Sequence, residues 1–231
     1  MFTGIAIASS VVGVFVLLVV LFVQRGREGV DTSPRALLRA YLYAASFAGL
    51  VALVVGLGAL LNWGIASTAG YEVVYGGSPR PAIARACPPG TVDTKCPEQP
   101  DQAEIERQQN EQRRRQVGEE LLRGVTFTIF GAIFYGAHYV ARRSVVGADE
   151  AGSGLRRAYL MLGTTVFGLA TVILVPTGLY QLLANAIIET SPEVYRSGIA
   201  DSFSPGVVSL VVWLAFLRLV VRQSRPTGAA A

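Results

Sequence analysis

The chain has 231 residues, of which 52% are apolar and only 16% charged, with a mean hydropathy of +0.45. Soluble domains are about a quarter charged, so the balance excludes an ordinary soluble protein and points to the membrane. The formal charge of +4 does not indicate nucleic acid, because the arginines flank apolar runs, where they meet anionic headgroups and fix topology.

A helix crossing a ~30 Å hydrocarbon core needs about 18–20 apolar residues. Five segments reach or approach that length: residues 3–23, 37–61, 125–140, 158–186 and 207–221. The expected fold class is therefore all-α, a polytopic bundle of five transmembrane helices. The first segment lacks a positive region before its apolar run and a small-residue cleavage site after it, so it is not a signal peptide. Its charges, Arg25 and Arg27, come afterwards, which places the amino terminus outside.

The second segment opens at Ser33-Pro34, an N-cap followed by proline in the first turn. It carries Ala40, Ala44, Ala48, Ala52 and Gly56, a small residue at every fourth position. Lipid gives helices no hydrophobic reason to associate, so small residues that permit close approach mark a packing face.

Residues 62–120 form an expected extracytoplasmic loop. Residues 70–77 have the character of a short strand or hairpin arm. Cys87 and Cys96 bracket a turn-rich stretch, and an oxidising outer compartment would join them in a disulfide, the alternative being two free thiols. No metal site is expected, since His138 is the only histidine. From Asp101, with Glu104 completing a capping box, a polar helix runs outward of the third span. Glu111 with Arg115 and Glu119 with Arg123 support it at helical spacing, and no breaker separates it from residues 125–140. One long helix is expected, polar on all sides in its outer half. That half is either a solvated helix end or a stalk for another chain.

The third segment repeats the small-residue pattern with Gly124, Thr128, Ala132 and Gly136. It also holds His138, a candidate haem or chlorophyll ligand. A bis-histidine haem would need its second histidine from another chain, and Phe134 stands one turn earlier, where a chlorophyll ring needs a small residue. Interface anchoring is the expected role of His138, and no cofactor is expected. In the fourth segment Pro176 interrupts the hydrogen-bond ladder; a kink that fits about thirty residues into the membrane is favoured over a substrate-lining break. Residues 187–205 form a short outer connection with a helical turn at 191–196. Ser204-Pro205 opens the fifth segment, which spans fully only if Arg218 snorkels to the interface.

Orientation follows from arginine placement. Arg25, Arg27, Arg35 and Arg39 lie between the first two spans. Arg142, Arg143, Arg156 and Arg157 lie between the third and fourth, and Arg222 and Arg225 follow the fifth. All three groups face the cytoplasm if the amino terminus is outside and the carboxyl terminus inside. The chain divides into residues 1–61 (two spans), 62–120 (outer loop and polar helix), 121–186 (two spans), 187–205 (outer connection) and 206–231 (last span and tail). Lys95 is the only lysine, an arginine bias that goes with GC-rich bacterial genomes and hence a bacterial plasma membrane.

Leu38-Arg39-Ala40-Tyr41-Leu42 opens the second span and Arg156-Arg157-Ala158-Tyr159-Leu160 the fourth. Gly49-Leu50 and Gly168-Leu169 follow within each. The pattern is two parallel two-helix repeats plus a final helix, an arrangement found in some transporters. In these paired openings, over residues 35–186, the chain resembles an uncharacterised family of bacterial multi-pass membrane proteins. The resemblance implies a membrane bundle and carries over no catalytic or ligand residue.

No nucleophile–base set, phosphate loop or carboxylate pair is present, and the spans lack the interior charges that membrane chemistry uses. The expected function is a non-catalytic integral membrane subunit, scaffolding or sealing a larger complex, respiratory or photosynthetic by its setting. Its partners are lipids and other membrane subunits. The alternatives are a small transporter or channel using the repeat, and a cofactor carrier through His138.

Overall fold

The computed structural model describes residues 33–76, 102–146, 154–187 and 198–224. Among them lie five helices and no strand: α1 (Pro34–Ala69), α2 (Tyr71–Tyr75), α3 (Gln102–Val146), α4 (Gly154–Ile187) and α5 (Phe203–Ser224). All except α2 are long and apolar enough to cross a membrane. Four of the five expected spans are therefore present. The expected span at residues 3–23 and the turn at 191–196 lie outside the described residues. Cys87 and Cys96 do too, so their disulfide has no structural support.

Each long helix starts for a local reason or runs on for lack of a breaker. The Ser33 hydroxyl accepts a hydrogen bond from the Ala36 amide at 3.3 Å, and Pro34 occupies the first turn. At ~1.5 Å per residue, the 36 residues of α1 extend about 54 Å, well past the ~30 Å core. The polar stalk and the third span are one helix, as the missing breaker implied. Its 45 residues extend about 68 Å. Arg123 engages Glu120 rather than Glu119. α4 runs unbroken through Pro176, whose ring lies on an exposed face.

The strand expected at 70–77 is corrected over its described residues: 71–75 form one helical turn, α2. Gly70 and Gly76 bracket the turn at φ +103° and +80°, a left-handed conformation that a Cβ disfavours. They pinch off the turn, and its carbonyls find partners elsewhere. Val73 accepts from the Ile199 amide at 3.3 Å and Val74 from the Ala200 amide at 2.9 Å.

α1 is the hub. It packs along α3 on one side and against α5, with a smaller contact to α4, on the other, while α4 packs along α5. Phe47, Leu50 and Val54 of α1 meet Leu160 and Phe167 of α4 and Phe216 of α5 in a buried apolar cluster. Large apolar side chains elsewhere face outward, among them Ile133 (67% exposed) and Val172 (69%). Soluble monomers rarely expose such continuous apolar surface, whereas a lipid-facing helix does so necessarily.

The four long helices alternate in direction. That alternation brings Arg35, Arg39, Arg142, Arg143, Arg156, Arg157, Arg218 and Arg222 to one end of the bundle. Among the described residues every carboxylate, from Glu72 through Glu104, Glu111, Glu119 and Glu120 to Asp201, belongs to the opposite end.

Candidate functional site

Three features stand out from the packed apolar interior: a glycine seam, a basic end and a polar end. The seam joins α1 to α3. Gly49 lies against Tyr135, Leu53 against Gly131, Gly56 against Thr128 and Leu60 against Gly124. Both helices step through the seam by four, three and four residues, in opposite directions. A Cβ on Gly49 would lie 2.7 Å from the Tyr135 backbone nitrogen, and one on Gly124 2.9 Å from that of Leu60. The backbones touch because no side chain holds them apart.

The expected packing face is corrected by this register. A strict four-residue step turns 400°, so it drifts about 40° per step and leaves any fixed line of contact. A four-three alternation stays on it. Gly56, Gly124 and Thr128 lie in the seam and Ala52 borders it at Gly131. Ala48 and Ala132 are exposed instead, and Ala40 and Ala44 are half-buried nearer the basic end than the first contact. Gly136 has nothing within 4 Å of a would-be Cβ. Gly49 and Gly131 complete the seam, and the seven-residue intervals Gly49–Gly56 and Gly124–Gly131 are the signal that reveals them.

At the basic end three helices each contribute a tyrosine. The Arg142 guanidinium carbon sits 4.7 Å from the ring centre of Tyr43, 5.4 Å from Tyr139 and 5.5 Å from Tyr159. Tyr43 and Tyr159 are themselves 5.2 Å apart. The repeat aligned Tyr41 with Tyr159, but Tyr43 is the residue that meets it. Tyr41 turns to His138, its hydroxyl 3.4 Å from Nε2, while Nδ1 lies 2.7 Å from the Phe134 carbonyl oxygen. A carbonyl only accepts, so Nδ1 carries the proton and Nε2 accepts from Tyr41. Both ring nitrogens are thus engaged within the chain.

The opposite end is more polar than the apolar runs suggested. Asn62, 5% exposed, donates to the Ala200 carbonyl at 3.1 Å. Arg113 pairs with Glu72 at 3.2 Å and lies over the Tyr71 ring, whose hydroxyl donates to Gln116. Glu120 and Arg123 form a largely covered ion pair beside Tyr75. Burial first, then the Glu120 charge, pushes the Tyr75 phenol well above its usual range. α2 is thus strapped to α3 by three side-chain contacts and to the turn before α5 by two backbone bonds. The sequence reading missed this cluster because Glu120 and Arg123 continue a charged run that looks like solvated helix.

Hydroxyls within the spans stay local. Ser46, Thr164, Thr171 and Thr177 each donate to the carbonyl four residues back, at 2.7–2.8 Å, the usual way to satisfy a hydroxyl in an apolar setting. None of these bonds reaches another helix. Among the described residues no group of three or more His, Cys, Asp or Glu could hold a metal ion. Compared with protein-family models, curated proteins and solved structures, the chain matches none.

Proposed function

We propose that the chain is a non-catalytic integral membrane subunit that scaffolds or seals a larger assembly in a bacterial plasma membrane. The observation that carries this reading is the outer half of α3. Between Ala103 and Arg115 nearly every described side chain is exposed, with only Gln109 and Arg113 partly covered. A helix polar all round that meets the described fold only through Arg113 gains little from being there unless something packs on it. The buried apolar contact of Phe47, Leu50, Val54, Leu160, Phe167 and Phe216 argues for a scaffold over a carrier, because a carrier needs a polar path between α1 and α4. The engaged nitrogens of His138 argue against cofactor carriage.

In this reading the basic end faces the cytoplasm, and the partners are lipid and other membrane proteins. Purification in mild detergent, followed by mass spectrometry of co-purifying chains, tests it. Defined membrane partners should be recovered, and removing residues 102–112, which spares the Arg113 contacts with α2, should release them while the spans stay folded. A monodisperse monomer recovered alone would sink the proposal.

A further inference from the structure

We infer that α2 is a releasable cover on α3: it stays seated on the turn before α5 and rolls its side chains off the stalk. Its two sides are held by different chemistry. Toward α5 the contact is apolar and made by backbone. Val74 and Ile199 are fully buried against solvent, and the Ile199 and Ala200 amides donate to the Val73 and Val74 carbonyls at 3.3 and 2.9 Å. A Cβ on Gly198 would lie 2.1 Å from the Val74 carbonyl oxygen, so the two backbones touch. Asn62 holds the same turn from α1 through the Ala200 carbonyl.

Toward α3 the contact is polar. The Glu72 and Arg113 side chains of the ion pair are 66% and 32% exposed. The Tyr71–Gln116 hydrogen bond is exposed as well, and so is the Arg113 stack on Tyr71 a surface contact. Water competes for all three, and a solvated ion pair shifts an equilibrium by about fivefold at most. Deeper in, Tyr75 lies beside Glu120 and Arg123. There the Tyr75 hydroxyl, Glu120 Oε2 and Arg123 Nε are buried without a hydrogen-bond partner. Burying a polar atom unpaired costs more than a solvated ion pair contributes. Closing α2 on α3 is therefore near balance, whereas leaving α5 would strip two backbone bonds and bare Val74. Helical carbonyls point along the axis, so α2 can roll about that axis between Gly70 and Gly76 without losing its bonds to the turn. The residues it engages, Arg113, Gln116, Glu120 and Arg123, are three, four and three apart and share one face of α3. A partner on the stalk gains that face once α2 has rolled away, but the release itself requires no partner.

The test uses the full chain in lipid nanodiscs, with hydroxyl-radical footprinting of tyrosine rings and hydrogen exchange at the Ile199 and Ala200 amides. Glu72→Gln with Gln116→Ala removes the solvated contacts. Tyr75 should then be modified at least about threefold more, while both amides keep their protection within about twofold. Unchanged modification of Tyr75, or amides that exchange faster by the same factor, would overturn the inference. Tyr75→Phe acts in the opposite sense, because it deletes a hydroxyl that closure leaves unpaired. Closure should strengthen about fivefold or more, and the neighbouring Tyr71 ring should be modified less. A Tyr71 modified equally or more would show that the hydroxyl holds α2 closed, and refute the cover. A chain that purifies alone yet gives both responses would defeat the subunit reading and leave the cover intact.

Discussion

Gly56 and Gly136 are the same residue on the same kind of apolar helix, and their surroundings give them opposite mutational signs. A Cβ at Gly56 meets the backbone of Thr128 in the seam, whereas one at Gly136 meets nothing within 4 Å. A backbone atom cannot rotate away as a side chain can, so Gly56→Ala must push α1 and α3 apart. Overpacking of this kind costs about 1–3 kcal/mol, more than the ~1 kcal/mol that alanine returns in helix propensity. Gly136→Ala keeps the propensity gain with no clash. Thermal unfolding in detergent should therefore show a lower midpoint for Gly56→Ala and an equal or higher one for Gly136→Ala. If both variants behave alike, close backbone approach is not what joins these helices.

Among the elements, α2 shows how five residues outside the apolar spans tie a bundle together. Its carbonyls bind the turn before α5 and its side chains bind α3. Burial raises the phenols of both Tyr71 and Tyr75, with the Arg113 charge opposing the shift at Tyr71. A phenol whose folded value is raised keeps a proton that the unfolded chain has released. Its contribution is complete below the unfolded value of about 10 and is lost as pH rises beyond it. The unfolding midpoint should be flat between neutral pH and about 9 and fall above about 10. Tyr75→Phe, which cannot ionise, should show a shallower fall. An identical alkaline slope in the two proteins would show that burial of the Tyr75 phenol is not linked to folding.

The same element marks where sequence stops being sufficient. The caps at Ser33-Pro34, the fusion of stalk and span in α3, and the four described apolar runs were legible because each depends on neighbours in the chain. α2 was not, because its single turn depends on two glycines with positive φ and on amides more than a hundred residues away. The seam was legible in kind but not in register. Alanines at four-residue steps are more numerous than glycines at sevens, and only the partner helix selects between them. Likewise, Tyr41 and Tyr43 are indistinguishable in sequence until α3 and α4 offer one a histidine and the other an arginine and a tyrosine.

At the scale of the whole molecule, helix direction and charge reinforce each other. Alternating helices collect eight of the described arginines at one end, while α3 carries its carboxylates, together with Arg107, Arg113, Arg114, Arg115 and Arg123, to the other. A bias that retains short arginine-rich connections in the cytoplasm favours the orientation with that end inside. Polar residues at the ends of α3 report that orientation directly. Asn110 and Ser144 are both exposed, and the 34 helical steps from one to the other span about 51 Å. That is more than the ~30 Å core, so a helix that crosses it presents the two residues to opposite compartments. In a chain whose cysteines are changed to serine, Asn110→Cys should react with a membrane-impermeant maleimide on intact cells. Ser144→Cys should react only after the cells are opened. The opposite pattern would invert the topology and place the arginine-rich end of the bundle outside. Labelling of both in intact cells would mean that α3 does not cross the membrane.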